Sequence, residues 1–342
     1  MRVALDAQLT VGTATGIGEY VRGLGGALRR CGVDAVELRE PRLDPWRFDR
    51  RVLWDQVLLP RRARASGADL LHCAAGTVPL HAPLPVLVTV HDVAWFEAQE
   101  HAPAYARYYF GRFALARYRK AARIVTDSAF SRDALLALMP DADPGNVCAI
   151  HPGVAREFGE LIRERGDGRT ILAVGTVERR KNLGVLVRAL AALDGARLVA
   201  VGPQTPYARE CAALAAEIGV ADRFELSGYI SRERLLSLYR TCAVAAVPSL
   251  YEGFGYAAAQ ALCSGVPCIV SDRSSLPEVA GGDAPVVAAA SVGAWAKALD
   301  AALRGEDDSR AADARGRSIA RFSWETSGRE TAHAYAAALG SS

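Results

Sequence analysis

At 342 residues the chain is longer than one domain of ~100–200 residues and reads as two. With 51% of residues hydrophobic it can bury two cores, and a net charge of +3 is too weak to make nucleic acid its main partner. No apolar run nears the ~18 residues that a membrane span requires.

The seven cysteines form no CxxC and sit mostly in apolar runs, as small buried hydrophobes of a reducing compartment do. The six histidines are dispersed, so no metal is expected. MRVALDAQ at the N-terminus reads as a strand rather than a signal peptide, because Asp6 breaks its apolar run. The location these features predict is cytoplasmic. Arginine is denser over 42–64 and 107–123. Solvated faces are the first reading of these runs, and a surface for an anionic acceptor or a membrane is the alternative.

In chain order, RVALDA (2–7) predicts a strand and residues 18–30 a helix. Strands follow at 69–73, 85–90, 123–128 and 146–151, with helices at about 104–121 and 131–138. Residues 152–168, with Pro152, Gly153, Gly159, Gly166 and Gly168, break the periodicity and read as a linker. TILAVG (170–175) and RLVAVG (197–202) are apolar runs ending in glycine, hence buried strands, with a helix at 182–193 between them. A helix at 206–219, a strand at 224–229 and a helix at 231–242 with Ser231 as its N-cap come next. AVAAVPS (243–249) and CIVSD (268–272) flank a turn and helix, and the tail from Arg321 reads as one last helix. Strand and helix alternate with short links in both halves. The fold class is α/β, two parallel sheets each covered by helices on both faces.

Ligands of such sheets bind at the carboxyl ends of the strands, and the unusual residues fall there. VGTATGIGEY (11–20) follows the first strand, His91-Asp92 the strand PVLVTV, and GTVERRKN (175–182) the strand TILAVG. Gly202 and Gly228-Tyr229 end the next two strands, and Glu252 with Gly253-Phe254-Gly255 follows Val247. If the sheets aim these edges at each other, the residues line one cleft. Each has a bland reading as well. TGIGEYV is close to GxGxxG but has Val21 at the third glycine, as an ordinary tight turn would. His91 reads equally as a satisfied core histidine. Arg179, Arg180 and Lys181 would be odd as an exposed helix start, since cations are unfavourable at that end; a phosphate held there removes the conflict. The unpaired amides after Gly255 favour the same ligand, with Gln260 reaching it from the helix behind and Glu252 from in front.

These motifs, together with VLWDQVLLP (52–60), TDSAFSRD (126–133), HPGV (151–154), LSGYIS (226–231), PSLYEGFGYAAAQALCSGVPCIVSD (248–272), LPEVAGG (276–282) and FSW (322–324), resemble the family-4 retaining glycosyltransferases of GT-B fold. The resemblance covers nearly the whole chain. GTxExRKN and GIGxY look like the branch that builds polysaccharides and antibiotic sugars, and the Ala/Arg-rich composition is similar to that of enzymes of avilamycin-type antibiotic assembly. The resemblance implies a Rossmann-like acceptor domain over 1–155, a nucleotide-sugar domain over 169–322, and a C-terminal helix, 325–342, packing back on the first. It implies that Glu252 contacts the donor sugar near its reacting carbon, with His91 beside the sugar and Asp92 on the acceptor side. Lys181 with Arg180 would neutralise the diphosphate. Gly16, Ile17, Phe254, Gly255 and Tyr256 would offer it backbone amides, and Gly202, Gly228, Tyr229 and Ile230 would hold the base. Gln260 stands where the family's second motif glutamate grips the ribose; an amide accepts and donates, so that bond weakens by about 1 kcal/mol.

The expected function is transfer of a sugar from a nucleoside-diphosphate donor to an acceptor hydroxyl with retention, with no cofactor or metal. The acceptor class it implies is an oligosaccharide or antibiotic intermediate. The rival readings are a nucleotide-sugar epimerase, a nicotinamide-dependent oxidoreductase, which leaves Lys181 and Glu252 unexplained, and a non-catalytic nucleotide-sugar-binding protein.

Overall fold

The computed structural model describes residues 1–12, 16–97, 104–164 and 166–340. The chain divides into two compact units, Met1–Gly153 with Ser323–Ser342, and Val154–Phe322. Among the described residues all seven cysteines are free, and no helix is long and apolar enough to cross a membrane.

The first unit opens with β1 (Arg2–Asp6), α1 (Gly16–Arg30) and β2 (Asp34–Leu38). The periodicity did not predict β2, because DAVEL is a half-exposed edge strand without a continuous apolar run. A long helical stretch, also unpredicted, follows: α2 (Phe48–Leu53), a π-helical turn at Trp54–Leu58, and α3 (Leu59–Ala65). Pro60 lacks the amide that would close an α turn onto Gln56, and a π turn before a proline accommodates that loss. Then come β3 (Leu70–Cys73), β4 (Val86–Val90), α4 (Ala94–Glu97), α5 (Ala104–Arg107), a second π turn at Tyr108–Phe113, α6 (Ala114–Tyr118), β5 (Arg123–Thr126), α7 (Ala129–Leu138) and β6 (Val147–Ala149). The six strands form one parallel sheet in the order β2-β1-β3-β4-β5-β6. Every residue of the run VLVTV in β4 is buried, as a central parallel strand covered on both faces demands.

The second unit begins with α8 (Arg156–Gly159), inside the stretch expected to be a linker. That expectation is corrected. Phe158 is fully buried, its ring edge-on to Tyr239 at 5.3 Å, and Leu161 joins the same core. Gly166 leaves no room for a Cβ, which would lie 2.3 Å from the Thr241 carbonyl oxygen. The glycines that suggested a linker allow close packing instead. The unit continues through β7 (Thr170–Val174), α9 (Leu183–Leu190), β8 (Arg197–Val201), α10 (Pro206–Glu217), β9 (Phe224–Gly228) and α11 (Arg232–Thr241). Ser231 caps α11, accepting from the Arg234 amide. β10 (Val244–Val247), α12 (Tyr256–Cys263), β11 (Cys268–Ser271), α13 (Leu276–Ala280), β12 (Val286–Val287), α14 (Val292–Leu303) and α15 (Asp308–Arg321) complete it. Its parallel sheet runs β12-β11-β10-β7-β8-β9. One apolar cluster packs α8, α11, α12 and α13 on one face of the sheet, and another packs α9, α10 and α14 on the other.

The tail from Arg321 holds one helix, as expected. α15 ends at Arg321, and Ser323 starts α16 (Trp324–Ala338) by accepting from the Glu325 and Thr326 amides. α16 lies on α1 in the first unit, and the fit is glycine-dependent. A Cβ on Gly23 or Gly153 would fall 2.1 or 2.4 Å from the Trp324 ring, and one on Gly328 would meet Ala27 at 2.7 Å. Below it, buried His72 bonds Tyr335 Oη through Nδ1 (2.7 Å) and Thr89 Oγ1 through Nε2 (2.8 Å), and Thr89 also meets Tyr20 Oη (3.1 Å). Burial pushes the His72 pKa down to about 3, so the ring is neutral and holds one donor and one acceptor for these hydroxyls.

Phe158→Ala tests the corrected boundary. Loss of this buried ring is expected to destabilise the chain by about 3–5 kcal/mol in urea unfolding, whereas a linker position would leave the midpoint unchanged.

Candidate active site

In the second sheet the strand order reverses beside β7: the chain leaves β7 for β8 on one side, and β10 pairs with β7 on the other. Loops after β7 and β10 therefore diverge, and the crevice between their ends is where an open parallel sheet binds ligands. The β7 loop carries Arg179, Arg180 and Lys181; the β10 loop carries Ser249 and Glu252. A small pocket of about 20 Å³ opens there, lined by Gly175, Thr176, Lys181, Pro248 and Ser249 among others.

The two loops meet through charge. Lys181 Nζ donates to Glu252 Oε1 at 2.6 Å, and Ser249 Oγ donates to the same oxygen at 2.7 Å. Arg180 Nη1 reaches Glu252 Oε2 at 3.2 Å and the Tyr251 carbonyl at 2.8 Å, while its Nη2 donates to Glu178 at 2.7 Å. Glu252 is 7% exposed. Burial pushes its carboxyl up, but Lys181 and Arg180 outweigh burial and hold it below the usual glutamate range. The backbone of Glu252 is fixed as well. Its amide donates to Ser274 Oγ at 2.8 Å, and Ser275 Oγ donates to the Glu252 and Phe254 carbonyls at 3.0 and 2.8 Å. Ser274 holds a left-handed φ of 51°, uncommon for a residue with a side chain.

The three cations do not stand on a helix start, which corrects the argument made for them. They form a 3-10 turn, and left-handed Asn182 (φ 53°) separates it from α9. Asn182 Nδ2 donates to the Pro248 and Ala289 carbonyls, which fixes the corner. Arg179 turns away, paired with Glu210 at 2.7 Å and lying over the Tyr207 ring. Only Arg180 and Lys181 of the three reach Glu252.

α12 starts after Gly255, whose φ of 101° is left-handed and whose Cβ, if present, would fall 2.8 Å from Leu276. Phe254 is a core residue, 3% exposed and edge-on to Phe322 and Tyr256. Gln260 is also buried, and its Oε1 accepts from Tyr239 Oη at 3.3 Å. The same hydroxyl lies 3.3 Å from the Ala257 carbonyl, so its one proton is shared between two acceptors. At the ends of β8 and β9, Gly202 donates to the Gly228 carbonyl at 2.9 Å, Tyr229 is 67% exposed, and Ile230 packs partly on the core.

In the first unit Gly16 opens α1 and is exposed, Ile17 is half-buried, and Thr13, Ala14 and Thr15 of the same motif lie outside the described residues. Gly18 is needed for packing, since a Cβ there would meet the Leu9 carbonyl oxygen at 2.7 Å. Asp92 Oδ1 accepts from the Ala94 amide at 3.1 Å. His91 follows β4 with both nitrogens engaged, Nδ1 on Asp127 Oδ2 at 2.7 Å and Nε2 on the Ala74 carbonyl at 2.9 Å. Both partners are acceptors, so both nitrogens donate and the ring is an imidazolium. Burial alone would lower its pKa, but Asp127 outweighs burial and the net shift is upward. Both nitrogens of His91 thus have protein partners.

Sequence reasoning missed Asp127, Tyr239, Ser249, Ser274, Ser275 and Glu178. The serine-rich SDRSS after β11 was a signal, because it ends the strand next to β10. Asp127 lay inside the motif TDSAFSRD but its partner, 36 residues away, was not readable, and Tyr239, 21 residues from Gln260, gave no signal.

Nitrogen-15 NMR of His91 tests the charge assignment. Wild type is expected to titrate above the ordinary histidine range, and Asp127→Asn to move the midpoint down. With a raised folded pKa, the stabilisation from this pair is full below an unfolded value near 6.5 and is lost as pH rises through the folded one. A neutral ring at pH 6 in wild type would overturn the assignment.

Residues 14–158 match the family described as Glycosyltransferase Family 4, and residues 157–319 match Glycosyl transferases group 1. A D-inositol 3-phosphate glycosyltransferase of Mycobacteroides abscessus is 33% identical over 175 residues, 46% of this chain and 38% of that one. A protein of the same name from Mycobacterium tuberculosis is 31% identical over 222 residues, 58% of this chain and 45% of its own length. The matched stretch thus spans less than half of either relative. The narrower likeness to avilamycin-type assembly finds no support among these relatives. In fold, the chain is similar to sucrose-phosphate synthase from Thermosynechococcus elongatus (TM-score 0.78, 21% identity, 100% of both chains). It is also similar to Anabaena HepE in complex with UDP and glucose (TM-score 0.73, 14% identity, 98% of this chain and 99% of that one). With two parallel six-stranded sheets and family matches running from residue 14 to residue 319, the chain has the GT-B fold and carries a Glycosyltransferase Family 4 domain followed by a Glycosyl transferases group 1 domain.

Proposed function

We propose that the chain transfers a sugar from a nucleoside-diphosphate donor to an acceptor hydroxyl with retention at the anomeric carbon. The observation that carries this reading is the contact of Lys181 and Arg180 with Glu252 at the strand-order reversal of the group 1 domain. It fixes two adjacent cations against the loop that leads into α12, and paired cations are suited to a diphosphate. In this reading Lys181 and Arg180 stabilise the leaving diphosphate, and the reading calls on no metal ion. The departing phosphate helps deprotonate the acceptor, so the protein's share is positioning and charge stabilisation. Glu252 fixes Lys181 and lies where positive charge develops on the sugar ring. Solved structures of HepE hold UDP and UDP-glucose, which supports a nucleotide-sugar donor here. The acceptor class is a hydroxyl-bearing oligosaccharide or natural-product intermediate.

The test is product analysis. The enzyme supplied with UDP-, GDP- and dTDP-sugars and a panel of acceptors is expected to form a glycoside, and anomeric proton couplings are expected to match the donor's configuration. Inverted product would overturn retention, and an isomerised donor without glycoside would favour an epimerase.

Lys181→Ala is expected to weaken nucleoside diphosphate binding by roughly 10–100-fold, the loss of one charge-assisted hydrogen bond, while nucleoside binding holds. Calorimetry showing equal losses for both would remove Lys181 from the phosphate.

Steady-state kinetics separate the two residues of the α12 region. Glu252→Ala is expected to lower kcat, because its interaction grows in the transition state. Gln260→Ala is expected mainly to raise the donor KM. The reverse pattern would mean the roles are exchanged.

A further inference from the structure

The first unit carries a basic, aromatic face that sugar transfer does not use. We infer that this face docks on an anionic lipid bilayer surface. Between residues 104 and 123 the sequence has six cations, at 107, 112, 117, 119, 120 and 123, and no acidic residue. Tyr105, Tyr108 and Arg112 recur at helical spacing and are exposed, with Arg107 alongside. Residues 42–64 add seven arginines against three aspartates. There Trp46, Arg50 and Leu53 form a second exposed stripe at the same spacing.

The two stripes are neighbours. The Phe48 ring packs on Tyr105, Tyr109 and Phe110 at 4.5, 5.6 and 6.1 Å, and Tyr109 stacks on Phe113 at 5.3 Å. Tyr109 Oη also donates to buried Asp55 at 3.0 Å and accepts from Gln56 at 2.9 Å. The exposed side chains therefore stand on a packed aromatic seam.

Two features bear on its occupant. First, Arg47 and Arg50 pair with Asp49 and Arg62 with Glu40, but Arg61, Arg64, Arg107 and Arg112 form no ion pair among the described residues. Second, three of the four large aromatic side chains exposed among the described residues, Trp46, Tyr105 and Tyr108, are here. Cations alone would suit any polyanion. Cations interleaved with half-apolar Trp and Tyr suit the headgroup layer, where the rings enter the acyl boundary and the guanidinium groups stay with phosphate. The overall charge of +3 disfavours nucleic acid as the occupant.

Flotation of the full chain with vesicles tests this, comparing phosphatidylcholine containing phosphatidylglycerol with phosphatidylcholine alone, at low and high salt. Binding is expected only to the anionic vesicles and is expected to weaken with salt. The double variant Arg107→Gln/Arg112→Gln should bind about fivefold more weakly for each charge removed. Trp46→Ser/Tyr108→Ser should lower binding by a factor that salt does not change. Nucleoside diphosphate binding should be unaffected in both variants, which shows that they fold and keeps this result separate from the transfer reading. The inference is overturned by absence of binding to anionic vesicles, or by binding that neither variant alters. It is equally overturned if the aromatic variant binds anionic vesicles and soluble heparin as wild type does, because the face is then a general polyanion site. Self-association of the chain that both variants abolish, without vesicle binding, would also overturn it.

Discussion

The ion pair between Lys181 and Glu252 constrains the whole carboxyl edge of the second sheet. Each group is mostly withdrawn from water, and a buried charge without a partner costs several kcal/mol. Neither loop can move independently of the other. The requirement propagates along the strand ends. Lys181 crosses the end of β7 over bare Gly175; a Cβ there would lie 3.3 Å from the lysine stem and oblige it to shift. Gly175 in turn fits only because Gly202 is bare, since a Cβ on Gly202 would fall 2.2 Å from the Gly175 carbonyl oxygen. Gly202 then bonds Gly228. Three glycines closing β7, β8 and β9, with φ of 141°, 143° and 67°, are one packing solution that lets a lysine reach a glutamate two loops away. Close backbone approach and charge placement are the same event here.

The first unit depends on a different constraint, the slot for Trp324. Gly23 on α1 and Gly153 after β6 face its ring, and Gly328 lets α16 approach Ala27. The chain end is then pinned by Tyr335 on a neutral, buried His72. A hydroxyl pair around one imidazole suits this depth better than an ion pair, because no charge is desolvated.

The sequence made the alternation of strands and helices legible, since strands such as VLVTV and TILAV are continuous apolar runs. It hid elements whose burial is partial: the edge strand β2, and a helix of π turns whose apolar spacing drifts from the 3.6 period. Glycine misled at 152–168, where the same residue type that marks linkers also marks tight contact, and only the partner, Thr241 some 75 residues on, separates the two. Lys181, Glu252 and Gly255 were legible because they punctuate strand ends. Their mutual contact was not, because no local rule links residues 71 apart. His91 and Gln260 were legible as unusual residues but not in their commitments, which depend on Asp127 and Tyr239.

The charges of the site follow from these commitments. Lys181 and Arg180 meet Glu252 and Glu178, two cations with two carboxylates, so the cluster is balanced before any ligand arrives. Two cations side by side without counter-charge would repel each other and drift toward water. With it they are held at fixed distances, and Ser249, Ser274 and Ser275 fix the carboxylate that holds them. A diphosphate entering such a site meets donors that need little rearrangement, which is where preorganised charge gains over bulk water. In the proposed reaction the negative charge on the leaving group grows while Glu252 stays anchored by its backbone. The cations can then share their hydrogen bonds with the phosphate without losing their positions. A glutamate bound to the very lysine that meets the leaving group is thus consistent with a role in the transition state rather than in donor affinity.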